Sequence, residues 1–475
     1  MLFNSFDFVW MFPMVFAFYY GIVFLVRHKR RDRKIENTAL LCLSYLLYIK
    51  LNPIYVFLLL GITWITYYFG ILVEESTNYR KRYFLTAGNC LGIIPLIIFK
   101  YYNFLHDNLC SLFECCGIKI GLPGLNWALP IGISFFTFQA IGYLVDVYYQ
   151  KIKAERNLLD YMLFVSFFPQ IASGPISKAK DLLPQIKKQR SFDYPKAVEG
   201  LKWLLWGMFM KVVLADRLGS YITSFADIAS LNGGMTLTLS ILYSFQIYGD
   251  FAGYSFMAMG IGKVMGFDLI NNFQRPYFSQ SITEFWHRWH ISLSLWLKDY
   301  IYIPLGGSRC SKVRSYFNIF VTFLVSGVWH GASWTFIFWG VLHGVFQIAE
   351  KIIGLNKIIS SGIVRLSRTV INFFILTLLW IFFRSANIHD AWLQISKIFN
   401  DHNYSLNLPW QSLFFIILSL SVVIGKDIVD EFQLKKLQFF SCKSTLVRWS
   451  IYLICMILIL LAGVFDSTQF IYVNF

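Results

Sequence analysis

Apolar residues in this chain come in long runs separated by short polar and basic stretches, a pattern of bilayer crossings and not of alternating strands. The first run, 8–26, is long enough to cross a hydrocarbon core of about 30 Å at about 1.5 Å per residue. It ends in RHKRRDRK, residues 27–34, which holds six Lys or Arg against one Asp, and no small-residue cleavage site accompanies it. A retained first helix is expected, its N-terminus outside and its basic end in the cytoplasm. Further apolar runs cover about 38–49, 53–73, 83–99, 127–148, 158–172, 200–214, 235–248, 251–270, 316–328, 333–349, 369–384, 411–426 and 448–465. Several are too short to cross alone, and Pro53, Pro130, Pro175 and Gly331 interrupt others. Broken segments survive at membrane depth only where their backbone is buried in protein or lines a cavity. The pattern predicts an all-α polytopic membrane protein: one integral membrane domain over 1–475, with about eleven transmembrane helices plus re-entrant or interfacial ones. No internal repeat is found, against the duplicated architecture of many secondary transporters.

Composition supports this. Hydrophobic residues make up 57% and charged residues 14%, where a soluble domain carries about 25% charged. A disordered chain, a soluble multidomain enzyme and a small disulfide scaffold are excluded. The formal charge of +16 would suit nucleic acid if the cations formed one solvated face. They sit instead in short clusters between apolar runs, so no nucleic-acid partner is expected. The surroundings predicted are lipid, with basic loops at the anionic leaflet of the cytoplasmic (inner) cell membrane. Lys178, Lys180, Lys187, Lys188 and Arg190 form a second such cluster, read as a cytoplasmic surface anchor. The eight cysteines form no C-x-x-C pair, so neither a zinc nor a redox motif follows; a disulfide among Cys110, Cys115 and Cys116 stays open if their loop is extracytoplasmic.

Chemistry is concentrated in two places. Residues 284–300 read EFWHRWHISLSLWLKDY. On a continuous helix, at about 100° per residue, Trp286, Trp289, Leu293, Trp296 and Tyr300 fall in one stripe and His287, His290, Ser294 and Lys298 in another. An aromatic belt at the membrane interface accounts for the tryptophans, but two imidazoles one turn apart do nothing there that lysine would not. Residues 326–334, SGVWHGASW, place His330 amid apolar sequence, with Gly331 permitting a helix break or a close backbone approach. An ionisable side chain at membrane depth is costly and therefore a functional hypothesis. A lone buried His would ordinarily be a satisfied core group; a second one flanked by matching tryptophans favours function for His290 and His330. His343 is read as structural. Neutral imidazole is a competent general base for a hydroxyl acceptor. G-x-S-x-G, H-E-x-x-H, a Walker loop, G-x-G-x-x-G and H-x-x-x-x-D are all missing from the sequence, so acid–base chemistry with no metal and no permanently bound cofactor is expected.

FWHRWHISLSLWLKDYIYIPLGGSR and the following VSGVWHGASWTFIFWGVLHG resemble the signature of the membrane-bound O-acyltransferase (MBOAT) family, in particular its bacterial alginate and peptidoglycan O-acetylation branch. MLFNSFDFVWMF at the start, LPIGISFFTFQAIGYLVDVYY at 129–149, FVSFFPQIASGPI at 164–176 and YGDFAGYSFMAMGIGKVMGF at 248–267 agree, so the resemblance covers most of the chain. It implies a ring of tilted helices, thinned in the middle around a central tunnel, in which a cytoplasmic acyl donor and an acceptor from the opposite side approach one histidine. His330 matches the family's catalytic base, and His290 a position with a hydrogen-bonding or orienting role. Trp286, Arg288, Ser294, Asp250 and Trp329 are candidate substrate contacts. Arg309, Lys312 and Arg314, between the histidine segments, are candidates to meet the phosphates of a coenzyme A thioester. Relatives usually carry an acid after GYS or GYT, where this chain has Phe256, so no role for that acid carries over; Asp250 is kept.

The expected activity is transfer of an acyl group, acetyl in the leading reading, from acetyl-CoA or another cytoplasmic acyl thioester. The expected acceptor is an extracytoplasmic polysaccharide, reached directly or through an SGNH-type acetyltransferase partner. D-alanyl transfer to teichoic acid is the alternative within the family, and a transporter or flippase the alternative from another class.

Overall fold

A computed structural model describes residues 3, 5–29, 33–51, 53–118, 121, 123–171, 174–225, 230–358, 362–406, 410–434, 442 and 444–465. Among the described residues all regular structure is helical. Contacts divide the chain into two compact units, one comprising 7–197 with 262–270, the other 3–6, 198–261 and 271–475.

The first unit contains α1 (Phe6–Lys29), α2 (Arg33–Leu51), α3 (Val56–Glu75), α4 (Asn78–Leu96), α5 (Tyr102–Cys115), α6 (Ile133–Tyr148), α7 (Leu158–Ser166), α8 (Phe168–Ile171) and α9 (Ala179–Lys187). Three stretches have the length and apolarity of a crossing: Asp7–Leu25, Val56–Glu75 and Asn78–Cys115. The last joins α4 to α5 through an i→i+5 turn at Ile97–Tyr101, just after Pro95, whose missing N–H loosens the ladder there. The run 158–172 is broken, as expected: Phe167 leaves the helical region between α7 and α8. Cys110, Cys115 and Cys116 are free thiols.

The basic clusters differ from expectation in one respect. Residues 30–32 of the first lie outside the described residues. In the second, Lys180, Lys187 and Lys188 are exposed, but Arg190 is 6% exposed and is no surface anchor. Its guanidinium donates to Asn37 Oδ1, lies 3.7 Å from Glu36 and covers the Phe267 ring at 4.8 Å. Asn37 in turn donates to Asp160 Oδ1 at 2.7 Å, and Asp160 pairs with Arg33 at 3.2 Å. A cation beside a buried carboxylate is held by it, because leaving either charge unpaired in a low-dielectric surround costs more than ordering the side chain.

The second unit contains α10 (Tyr194–Met208), which begins in the first, then α11 (Asp216–Thr223), α12 (Gly233–Val264), α13 (Ile282–Arg288), α14 (Ile291–Leu297), α15 (Lys312–His330), α16 (Trp334–Ile353), α17 (Ile363–Arg384), α18 (Ile388–Asn400), α19 (Trp410–Glu431) and α20 (Thr445–Ala462). Trp334–Ile353, Ile363–Arg384 and Thr445–Ala462 have the length and apolarity to cross, making six such helices among the described residues of the chain. Apolar runs and helices are not one to one: 235–248 and 251–270 both enter α12, whose 32 residues bury Ser240, Ser244 and Asp250. The protein is thus an all-helical, multi-pass membrane protein.

Helices α15 and α16 form the hairpin that carries His330. Their backbones touch at Gly327 and Gly340, where a Cβ on Gly327 would stand 2.5 Å from the Phe336 carbonyl oxygen. Small residues permit such approach, and in lipid, where apolar burial adds little between helices, close packing is the main cohesive force. Gly331 ends α15 in extended backbone, and its missing side chain leaves room for the Phe336 ring, which a Cβ would meet at 2.3 Å.

Candidate active site

The helix expected over 284–300 is not continuous. Ser281 caps α13 by accepting from the Glu284 N–H at 3.1 Å, while Glu284 reaches back to the Gln280 N–H at 2.8 Å, a reciprocal N-terminal cap of the S-x-x-E kind. Glu350, from α16, accepts from the Thr283 N–H and hydroxyl, both at 3.0 Å. The helix stops at Arg288: Trp289 is extended and His290 lies at φ 43°, ψ 53°. For a non-glycine residue the left-handed region costs about 1–2 kcal/mol and must be held by its surroundings. Asn272 does so, its carbonyl accepting from the Ile291 N–H at 3.1 Å and its Oδ1 from the Ser292 N–H at 2.9 Å, which caps α14.

This break replaces the two predicted stripes. Trp286, Trp289 and Trp296 are 5%, 0% and 6% exposed, so they are core groups and not an interfacial belt. Trp289 anchors the turn against Phe273, Phe285 and Trp380, with ring centroids 5.0, 5.3 and 5.1 Å away. The other stripe splits: His290 is fully buried, Ser294 half-buried, and His287 and Lys298 exposed.

The break turns His290 inward, where its ring meets Phe251 edge-on at 4.6 Å and Trp329 at 5.9 Å. His330, the last residue of α15, packs against the same Trp329 at 4.9 Å. Two imidazoles from separate segments therefore share one indole, as the spacing could not show but the pairing with tryptophan hinted. Trp339 at 4.9 Å and Phe383 at 5.3 Å complete an aromatic surround in which His330 is 2% exposed. Behind it His343, fully buried, lies 4.6 Å from the Trp339 ring and accepts the Trp286 indole N–H on Nδ1 at 3.2 Å. Sequence, which read His343 as structural, did not identify this partner.

A cavity of about 350 Å³ is lined by Trp286. Its apolar lining is Trp286, Leu295, Leu297, Ile319 and Phe323; its polar lining includes His287, Ser294, Gln347, Lys298 and Lys351. Of the predicted substrate contacts, Trp286 and Ser294 line this cavity and Trp329 touches both histidines. Arg309, Lys312 and Arg314 do not line it. They stand exposed on and after the PLGGSR loop, whose Gly307 carbonyl is held by Asn318 at 3.0 Å, and Arg314 leans on the Phe317 ring at 5.3 Å. The cavity's cations are Lys298 and Lys351, the latter not marked by sequence because it sits at the far end of α16. Arg288 is committed to carboxylates, 2.6 Å from Glu284 and 2.8 Å from Glu431, and Glu431 also holds Arg275 and Arg365. Phe251, next to Asp250, touches His290, while the Asp250 carboxylate binds Lys211 Nζ at 2.6 Å.

Comparison with known proteins places this geometry in context. The family model for the membrane-bound O-acyltransferase family matches residues 146–388. The chain is 36% identical over 396 residues to a probable alginate O-acetylase AlgI of Pseudomonas aeruginosa, covering 83% of this chain and 75% of that protein. It is 34% identical over 421 residues to a peptidoglycan O-acetyltransferase of Helicobacter pylori, covering 82% and 78%. Against a teichoic acid D-alanyltransferase of Streptococcus thermophilus it is 32% identical over 229 residues, covering 45% and 55%. With two buried histidines sharing an indole inside the matched region, and relatives of this kind over four-fifths of its length, the chain belongs to the membrane-bound O-acyltransferase family and is an O-acyltransferase.

Proposed function

We propose that this enzyme works in the cytoplasmic membrane and transfers an acetyl group from a cytoplasmic thioester, acetyl-CoA or an equivalent donor, to an extracytoplasmic polysaccharide hydroxyl, directly or through an SGNH-type partner protein. The observation that carries the reading is the pair His290 and His330, both buried and both in contact with Trp329 in a surround of aromatic rings. As the acceptor oxygen attacks the thioester carbon, its proton passes to the His330 imidazole. The carbon–sulfur bond then breaks, and the leaving thiolate takes that proton. His290 orients the acceptor or polarises the thioester carbonyl. Acetyl is favoured over D-alanyl because the acetylating relatives align over more than four-fifths of the chain at 34–36% identity, and the D-alanylating ones over 45% and 58% of it at 32% and 29%. The reading includes the finer architecture expected from sequence, about eleven crossings around a central tunnel, with the loops at 27–34 and 178–190 in the cytoplasm.

The cavity beside Trp286 suits the donor. Its apolar wall fits the thioester arm, and Lys298 and Lys351 offer charge-assisted bonds to phosphates. Replacing both lysines with Gln is expected to raise the donor KM roughly tenfold, taking about 0.7 kcal/mol from each charged contact. The triple replacement of Arg309, Lys312 and Arg314 with Gln should change it far less. Equal effects of the two sets, measured in membrane vesicles, would remove the donor from this cavity.

The function itself is tested by mass and NMR analysis of envelope polysaccharides from a deletion strain. Loss of ester-linked acetate, restored by the intact gene, is the expected result. Loss of ester-linked D-alanine instead would move the assignment to teichoic acid, and unchanged esters would sink the reading.

A further inference from the structure

We propose that His343 is a positioning residue for transfer: by accepting the Trp286 indole N–H it fixes the aromatic wall between the cavity and the surround of His330. This rests on the reading of the cavity as the donor site. Trp286 has two faces to its role, lining the cavity and packing at 5.7 Å against Trp339, which in turn touches His330. An indole can tilt about its side-chain torsions, and packing alone sets that tilt loosely. The hydrogen bond to His343 sets it directionally, because the acceptor lone pair lies in the imidazole plane. That plane is itself fixed. Phe285 and Phe323 lie nearly parallel to it, at interplanar angles of 15° and 16° with centroids 6.4 and 6.2 Å away. The bond also determines the tautomer: Nδ1 accepts, so the proton of the neutral ring sits on Nε2.

Filling of space would require only a flat ring at position 343, which Phe supplies. Holding the wall requires an acceptor, which Phe lacks and Gln retains. A misplaced wall should act on alignment of the thioester carbon with the acceptor, not on capture of the donor, since small displacements at a reacting centre can cost up to about 100-fold. It should also admit water to the thioester.

The test uses the full-length protein in vesicles, with labelled acetyl-CoA as donor and a polysaccharide fragment as acceptor. His343→Phe is expected to lower kcat about tenfold with donor KM within about twofold and to raise donor hydrolysis relative to transfer, and Trp286→Phe, which also alters the cavity lining, to show the same fall in kcat and rise in hydrolysis. The double variant should be no worse than either single one, because both remove the same bond. His343→Gln should recover part of the loss. Normal kcat and hydrolysis ratio in His343→Phe, or additive losses in the double variant, would overturn the proposal. If His343→Phe fails to accumulate, Trp286→Phe against His343→Gln decides: a Trp286→Phe protein with normal kcat and hydrolysis overturns it equally. The Lys298 and Lys351 variants, assayed alongside, separate the two ideas. An unchanged donor KM there rejects the cavity as donor site, whereas a raised KM with normal His343 variants rejects only the positioning role.

Discussion

Replacing His330 with Ala is expected to abolish detectable acetyl transfer while leaving protein level and donor binding close to normal. A hydroxyl attacking a thioester must lose its proton as the bond forms, and a positioned base typically contributes about 10²- to 10⁴-fold to such a step. No water shell can substitute where the imidazole is 2% exposed between Trp329, Trp339 and Phe383. His290 should behave differently. Its task in this reading is a hydrogen bond and not a change of charge, and its backbone is left-handed at φ 43°. Asn satisfies both conditions, since it hydrogen-bonds and tolerates that region better than most side chains. His290→Asn should therefore keep more activity than His290→Ala. His290→Gly separates the two causes: it relieves the backbone but removes the polar group, so it should be stable and poorly active. Rates are measured in vesicles at matched protein level. His290→Ala outperforming His290→Asn would reject the orienting role, and near-normal transfer by His330→Ala would reject His330 as the base.

Both histidines were legible in the sequence because an ionisable residue flanked by tryptophan in an apolar run has few structural excuses. Their meeting on one indole was not, since it depends on a helix break at Trp289 and His290. Asn272, which holds that break, lies about 20 residues away, and Glu350, which fixes the start of α13, more than 60 residues from Thr283, both beyond any local pattern. The same limit explains the cations. Arg309, Lys312 and Arg314 are near both histidine segments in sequence, but the loop conformation sends them outward. Lys351 reaches the cavity because α16 folds back on α15 at Gly327 and Gly340. Fold class was readable from run length alone, whereas the number of helices was not: a polar residue can end a run without ending the helical stretch, as Lys100 does after 83–99 within Asn78–Cys115.

Lys211→Met is expected to prevent accumulation of folded protein. Lys211 is fully buried in the irregular turn at Phe209–Ala215, with Asp250 of α12 at 2.6 Å, Asp216 of α11 also bonded to its ammonium, and the Tyr254 ring at 5.3 Å. Removing the one cation leaves two carboxylates buried together. Breaking a buried pair from one side costs about 3–5 kcal/mol, a large share of a typical stability of about 5–15 kcal/mol. Asp250→Asn is the milder change, because Lys211 keeps Asp216 and the cluster becomes neutral. The triple change Lys211→Met, Asp216→Asn, Asp250→Asn removes every charge and should restore much of the yield that Lys211→Met loses. This series also decides what Asp250 does. A substrate contact would show in Asp250→Asn as normal yield with a raised KM; a structural partner shows as modestly lower thermal stability with KM unchanged. The structural outcome is expected, with folded yield read by size-exclusion of detergent-extracted protein and stability by its Tm. A Lys211→Met protein of normal yield and Tm would show that this ion cluster does not hold α11 and α12 together.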